Sequence, residues 1–378
     1  MRVPLISFFT GGGFLDLGLH RAGFRTVWTN EYNSAFADMY ESAMLGLCAA
    51  RADTGLPTKV SCRKSIADLS AREVLQDAFP KGRPGLFGVV GGPPCPDFSN
   101  GGAHAGGEGS SGKLTRLYMA MVRDLRPDFF IMENVSGLCR VKKHWLFLSS
   151  QIAVLQERGY AVDHHVLNAL ELGVPQSRER LFVVGFKKTL ASVALGHAVK
   201  GAVEGWFSWP NRPEYAGARS LVWPTVSPFG GSPLRPEGIP LELMVYPSLQ
   251  GGVDPEVLPN GLEFFQSYSK KFWERAEGDV SAKSFKRLHR FRFSPTVWYG
   301  NQEVHLHPWK PRRLSVREAL RIQSVPDDYV LPAEMPLSAK FRLICNGVPC
   351  TMAEDMGRAV MAFLVRAGAA GVFDGSGR

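Results

Sequence analysis

Three short blocks concentrate the residues that could do chemistry. Gly91-Gly92-Pro93-Pro94-Cys95-Pro96-Asp97-Phe98-Ser99 sets a cysteine between stiff prolines, directly after the apolar run Leu86–Val90. Prolines on both sides fix the backbone, which suits a thiol that must be aimed before its substrate arrives. Glu133-Asn134-Val135 supplies a carboxyl, and Gln176-Ser177-Arg178-Glu179-Arg180 supplies two guanidinium groups. Together these suit a reaction on an electron-poor heterocycle. Cysteine attacks a ring carbon, the carboxyl handles a ring nitrogen, and arginine holds a carbonyl or phosphate oxygen. A fourth block, Phe9-Thr10-Gly11-Gly12-Gly13, carries no reactive group. Its glycines let main chain approach a ligand at a helix N-terminus, and Glu31, 20 residues after Gly11, can accept from ribose hydroxyls.

Strand and helix signals alternate around these blocks. Leu5–Phe9 reads as a strand, Phe14–Ala22 as a helix ended by Gly23, Arg25–Asn30 as a second strand and Leu86–Val90 as a third. Leu114, Leu117, Tyr118, Met121, Val122 and Leu125 fall on one face of a helix that Pro127 ends. Phe129–Met132 is a strand, Trp145–Arg158 a helix and Leu181–Phe186 another strand. This alternation predicts an α/β protein with a Rossmann-like, mostly parallel sheet covered by helices on both faces. Each reactive block then sits at a strand end, where open sheets of this kind bind ligands.

The pattern breaks from Gly205 to Asn260, where ten prolines fall in 56 residues among Trp206, Trp209, Trp223, Phe229 and Tyr246. A second, smaller and irregular domain is the economical reading, with the tryptophans in its core. Helical periodicity resumes at Ser315–Ser324 and again near Met352–Val365.

The 378 residues are 45% hydrophobic and 21% charged, which excludes whole-chain disorder and allows a large core. A net charge of +9 favours a polyanionic partner. No apolar run approaches the roughly 20 residues of a membrane span. The six cysteines form no Cys-x-x-Cys, and His164-His165 and His305-x-His307 lack further ligands at metal-site spacing, so no metal is expected.

In order, Phe-x-Gly-x-Gly, Pro-Pro-Cys, Glu-Asn-Val, Gln-x-Arg-x-Arg, then Arg313-Leu314-Ser315-Val316-Arg317-Glu318-Ala319 and Asn346-Gly347-Val348-Pro349, the chain resembles the cytosine-5 DNA methyltransferases over about 1–188 and 294–365. The resemblance implies methylation of C5 of cytosine within a specific double-stranded DNA sequence. It implies a base flipped out of the duplex, a covalent bond from Cys95 to C6, and S-adenosylmethionine as cofactor. Glu133 would meet N3 and the exocyclic amine and Arg180 the cytosine O2, with Arg178 and Gln176 supporting the pocket and the flanking phosphate. Ser99 and the glycine-rich 101–113 stretch would correspond to a mobile loop closing over DNA. The cofactor would touch Phe9, Gly11, Gly13, Glu31, Tyr32, Pro94, Leu114, Asn346 and Val348. The adenine-binding pair of the family aligns with Ser65-Ile66, with Asp68 close by, and the choice between Ser65 and Asp68 stays open. Ser7 stands where the family usually has an acidic residue, Phe14 where it has a second glycine, and Pro96 where it has glutamine.

On this reading residues 1–188, completed by about 338–378, form the catalytic and cofactor-binding domain. Residues 189–337 form a target-recognition domain whose variable part is about 189–293. Five basic residues in 283–292 alternate with apolar ones, and Lys283, Lys286, Arg287 and Arg290 are expected to contact phosphates. The expected setting is a cytoplasmic monomer, held at the nucleoid through DNA, with a cognate restriction endonuclease as partner or as an orphan enzyme. The rivals are a same-fold tRNA cytosine-5 methyltransferase, a catalytically inactive DNA-binding relative, and a nicotinamide dehydrogenase, which leaves the cysteine block unexplained.

Overall fold

A computed structural model describes residues 2–52, 55–94, 110–199, 205–266, 269–297, 299 and 303–369. In chain order the catalytic half runs β1 (Val3–Phe8), α1 (Phe14–Arg21), β2 (Phe24–Asn30), α2 (Ser34–Arg51), α3 (Ala71–Ala78), β3 (Gly88–Gly91), α4 (Ser110–Leu125) and β4 (Phe129–Val135). It continues with α5 (Gly137–Arg140), α6 (Lys142–Glu157), β5 (Tyr160–Asn168), β6 (Gln176–Ser177), β7 (Glu179–Lys187) and α7 (Lys188–Leu195). The remainder holds α8 (Tyr246–Gln250), α9 (Lys271–Glu274), β8 (Ser294–Pro295), α10 (Val316–Ile322), α11 (Leu337–Asn346) and α12 (Cys350–Arg366).

Six strands form one sheet in the order β2-β1-β3-β4-β7-β5. β2, β1, β3 and β4 are parallel neighbours, and β7 runs antiparallel to both β4 and β5. Leu5, Ile6, Phe8, Val89, Val90 and Phe129–Met132 are fully buried, as strands covered on both faces must be. The mostly parallel α/β sheet is therefore as expected, with one reversal. Only ten residues separate β5 from β7, too few for a parallel crossover, so the chain turns back through a 3₁₀ turn at Ala169–Leu172.

That reversal matters for the site. It brings the start of β7 to the edge where β1, β3 and β4 end, with Arg180 paired to Val135 and Phe182 to Glu133 in register.

The tryptophans do not share one core. Trp206 lies 5.4 Å from Phe363 and 6.0 Å from Phe186, on a face of the catalytic sheet, and Trp209 packs 4.9 Å from Phe207 beside it. Of these three, Trp223 belongs to the irregular part, edge-on to Phe293 at 4.9 Å. From 205 to 297 short turns and loops dominate, tied to the sheet region by the parallel pair of β6 and β8. Leu314, Val316, Ala319, Leu320 and Ile322 share a core with Phe14, Leu17, Tyr40 and Met44 of α1 and α2. Packing with the catalytic unit thus begins well before residue 338.

Among the described residues no helix is long and apolar enough to cross a membrane, and no cluster of His, Cys, Asp and Glu could hold a metal ion.

Candidate active site

Glu133 and Arg180 meet across the β4–β7 pair, with Arg180 Nε 3.0 Å from Glu133 Oε1. Glu133 is nearly buried, and burial raises its carboxyl above the ordinary range, with Arg180 and then Arg178 opposing the shift. A carboxyl held this way keeps a proton more readily than an exposed glutamate, which suits a group facing a ring nitrogen. Gly92 makes room for it, since a Cβ there would stand 2.9 Å from Glu133 Oε2. Asn134 ties the neighbouring loop to β4 by donating from Nδ2 to the Pro93 carbonyl at 3.3 Å. The Pro-Pro turn is thus fastened to the strand that carries the carboxyl. Cys95 and Ser99, one and five residues past Pro94, lie outside the described residues. Of the glycine-rich 101–113 stretch, the described part, from Ser110, opens α4.

The glycine block forms the turn between β1 and α1. Phe9, Gly11 and Gly13 all have left-handed backbone, with φ of 55°, 53° and 75°. For Phe9 this is a strained conformation that the surrounding hydrogen bonds must hold. The space a Gly11 side chain would take is open, whereas a Cβ at Gly13 would strike Tyr40 and Met44. Glu31 follows the end of β2 and accepts from Gly11 N at 2.9 Å and from Asn33 N at 2.8 Å. Burial pushes its carboxyl up, and the backbone donors hold it down. The Tyr32 ring next to it is 72% exposed. A fixed carboxylate, an open glycine cradle and an exposed ring suit a nucleoside with a ribose and a flat base, so these residues fit S-adenosylmethionine.

Other expected cofactor residues gather less tightly. Ser65 caps the short 3₁₀ turn Ile66–Asp68 through Ala67 N, Ile66 is buried and Asp68 is exposed. Leu114 packs partly into the core under α4, and Pro94 is exposed. Asn346 is exposed at the end of α11 and Val348 is buried just after it.

Several expectations need correction. Arg178, taken as catalytic, is fully buried and donates from Nη2 to the carbonyls of Cys345 at 2.8 Å and Gly347 at 2.9 Å. It is a positioning group, binding β7 to the segment that carries Asn346. Gln176, taken as a phosphate contact, is also fully buried, facing Gln323 at 3.3 Å. Arg287 points inward. Its guanidinium donates to the carbonyls of Arg275, Phe272, His307 and Lys310 and stacks 4.1 Å from the Phe229 ring. Arg290 grips the buried Glu277 with both Nε and Nη2 and reaches Gly231 O at 3.1 Å. Neither arginine is placed to reach a phosphate. Lys283 is exposed and Lys286 half-buried, so those two remain available.

Residues that sequence reasoning passed over also serve the site. Tyr329, fully buried, donates to the Gly12 carbonyl at 2.8 Å and stands edge-on to Phe14 at 5.4 Å. Asp16, in the first turn of α1, is buried behind the glycine turn and accepts from Thr10 Oγ1. Its position one turn into a helix that opens on glycines was the one signal available for it.

Comparison with known proteins agrees with this geometry. A family profile described as C-5 cytosine-specific DNA methylase matches residues 3–208 and 260–362. The Type II methyltransferase M.NmeDI of Neisseria meningitidis serogroup C is 38% identical over 371 residues, covering 96% of this chain and 84% of that protein. M.FnuDI of Fusobacterium nucleatum, also a Type II methyltransferase, is 27% identical, covering 93% and 92%. Among solved structures, a prophage-encoded protein of E. coli superposes with a TM-score of 0.62 at 21% identity, covering 96% of this chain and 99% of that one. The S. pombe Dnmt2 methyltransferase gives 0.58 at 12%, covering 96% and 99%. Both likenesses establish the fold.

Proposed function

The chain belongs to the C-5 cytosine-specific DNA methylase family, and from that premise we propose how its residues divide the work. It is a DNA (cytosine-5-)-methyltransferase. Cys95 Sγ, as thiolate, adds to C6 of a cytosine turned out of the duplex, while Glu133 gives a proton towards N3 and so takes up the charge that addition creates. Arg180, 3.0 Å from Glu133, keeps that carboxyl in place and offers N–H groups to the cytosine O2. S-adenosylmethionine, when bound, supplies the methyl group to C5. Glu31 holds the ribose, Tyr32 covers the base, and Gly11, Gly13 and Asn346 line the methionine end. Glu133 takes back the N3 proton, and loss of the C5 proton to solvent then re-forms the C5–C6 double bond as the thiolate leaves C6.

The observation that carries this reading is the Glu133–Arg180 pair set against Gly92 at the foot of the Pro-Pro-Cys turn. Type II relatives support a modification role beside a restriction endonuclease that cuts the same site. Residues about 189–293 read that site, an assignment supported by the stretch 209–259 that the family profile leaves unmatched. Lys283 and Lys286 contribute phosphate contacts. The setting is a monomer at the nucleoid.

The test is Cys95→Ser. It should lose at least 10³-fold in turnover on duplex DNA while DNA and cofactor binding stay within about twofold. Near-normal methylation by the variant, or a wild type that methylates tRNA and leaves duplex DNA untouched, would refute the reading.

A further inference from the structure

Asp16 is 1% exposed, and every group it touches is neutral. Thr10 Oγ1 donates to its Oδ2, Thr26 Oγ1 lies 3.4 Å from Oδ1, and Ser7 Oγ stands 3.4 Å from Thr10 Oγ1. No basic side chain is among its described partners. Glu133 has Arg180, Glu277 has Arg290 and Glu318 has Arg312. Glu31 and Asp163, which have no cation among their described partners, are each held by two or more backbone N–H groups. Asp16 has only hydroxyls. A carboxylate buried without a cation costs several kcal/mol unless it takes a proton or finds a partner. Burial moves the Asp16 carboxyl up to about 6, with the three hydroxyls opposing. The group is therefore costly to keep and weakly compensated by the protein itself.

Its place in the fold says what it waits for. Thr10, which binds Asp16, opens the glycine turn and fixes it twice more, donating from its N to Asn30 O at 3.0 Å and accepting from Gly13 N at 2.8 Å. The carboxylate thus lies directly behind the main chain whose open side is the glycine cradle. The end of β1, where an acidic residue could stand, carries the neutral Ser7. We propose that Asp16 is the buried counter-charge for the cationic methionine end of the cofactor, acting through the Thr10–Gly13 turn. This rests on the cofactor reading above. Asp16 is a positioning residue, since the turn lies between it and the ligand.

The sulfonium and the α-ammonium are the two cations it could serve, and three ligands separate them. S-adenosylmethionine carries both, S-adenosylhomocysteine only the ammonium, and 5′-methylthioadenosine neither. Calorimetry at pH 8 on the wild type and Asp16→Asn, which keeps the contact with Thr10, measures all three. S-adenosylmethionine should weaken about tenfold, the low end of what one nearby opposite charge contributes, while 5′-methylthioadenosine binds as before. Weakening of S-adenosylhomocysteine by the same factor assigns the ammonium, and its unchanged binding assigns the sulfonium. Asp16→Glu should restore the preference for the charged ligands. Should Asp16→Asn fail to give a cooperative thermal melt, Asp16→Ser replaces it as the neutral variant. Equal weakening of all three ligands would show a merely structural role and overturn the proposal, as would no weakening of any. A wild type that binds none of the three would overturn the cofactor reading itself.

Discussion

Glycine at 92 is a demand of the neighbouring carboxyl. Any Cβ there presses within 2.9 Å of Glu133 Oε2, and the first of the two prolines follows directly, so the backbone has little freedom to yield. Gly92→Ala should therefore cut kcat by about 10- to 100-fold with a melting temperature within a few degrees of the wild type. Steady-state methylation beside a thermal melt checks this, and normal kcat would mean that the carboxyl has room to move. The same scale shows what could be read in the sequence. Cys95, Glu133 and Glu31 announce themselves because each lies in the last residues of a strand signal or within a few residues after it, so chemistry and position are both local. Asp16 and Tyr329 do not, because what gives them meaning is a contact made in three dimensions. Tyr329 lies 317 residues from the Gly12 carbonyl that it holds.

Elements explain the misjudged arginines. The run 283–292 has the charge pattern of a phosphate-binding strip, yet Arg287 and Arg290 turn inward to brace the loop 227–231 against 272–279. Backbone carbonyls leave no mark in a sequence, and Glu277 is one acid among many until the fold buries it beside Arg290. Arg287→Ala should thus destabilise the protein by about 3 kcal/mol, through four lost hydrogen bonds that leave four carbonyls orphaned, with the salt dependence of DNA binding unchanged. Lys283→Ala/Lys286→Ala should do the reverse, flattening that dependence by up to about two units of slope at roughly 0.9 per phosphate, with normal stability. Urea unfolding and binding across a salt series distinguish the two. The histidines of this part add a pH effect. Burial, then Lys286 and Arg313, push His305 down to about 3, so it stays neutral in the fold while the unfolded chain takes a proton below about 6.5. Stability should accordingly fall as the pH drops from about 6.5 towards 3, by up to about 1.4 kcal/mol per unit for this group. Unfolding at pH 7.5 and 5.0 measures it, and His305→Gln should reduce the slope.

On the scale of the whole molecule, a reaction centre on the sheet is joined to the irregular stretch that we propose reads the target sequence. The described parts of the blocks that carry chemistry sit on one edge of the sheet, and the irregular stretch is joined to that edge through β6, β8 and the contact of Arg219 with Glu179 at 3.2 Å. Exchanging 189–293 for the same segment of a relative should redirect methylation to the relative's sequence, which sequencing of methylated cytosines in an expressing host would show. A folded hybrid that still marks the original sites would place recognition elsewhere. The alternation of strands and helices was legible because burial on both faces leaves long apolar runs. The reversal of β7 was not, because direction depends on the length of a connection and on His164 and His165 of β5, which read as polar yet pack against Trp145 and stack on Trp209 respectively.

One more consequence concerns the order in which the chain is made. Gly18 of α1 and Gly357 of α12 let the two helices approach so closely that a Cβ at either would strike the other helix, and Leu19 and Ala22 are buried in that contact. At roughly 5–20 residues per second, a ribosome needs about 8–30 s to pass from the end of β7 to the start of α11. Throughout that time the nascent protein holds most of its catalytic edge, yet Arg178 lacks its carbonyl partners and one side of α1 stays bare. A half-made copy can therefore neither complete the cofactor cradle nor hide its apolar stripe. Exposed apolar surface of this kind makes a nascent chain prone to aggregate, so methylation is expected only from chains that have been translated through α12.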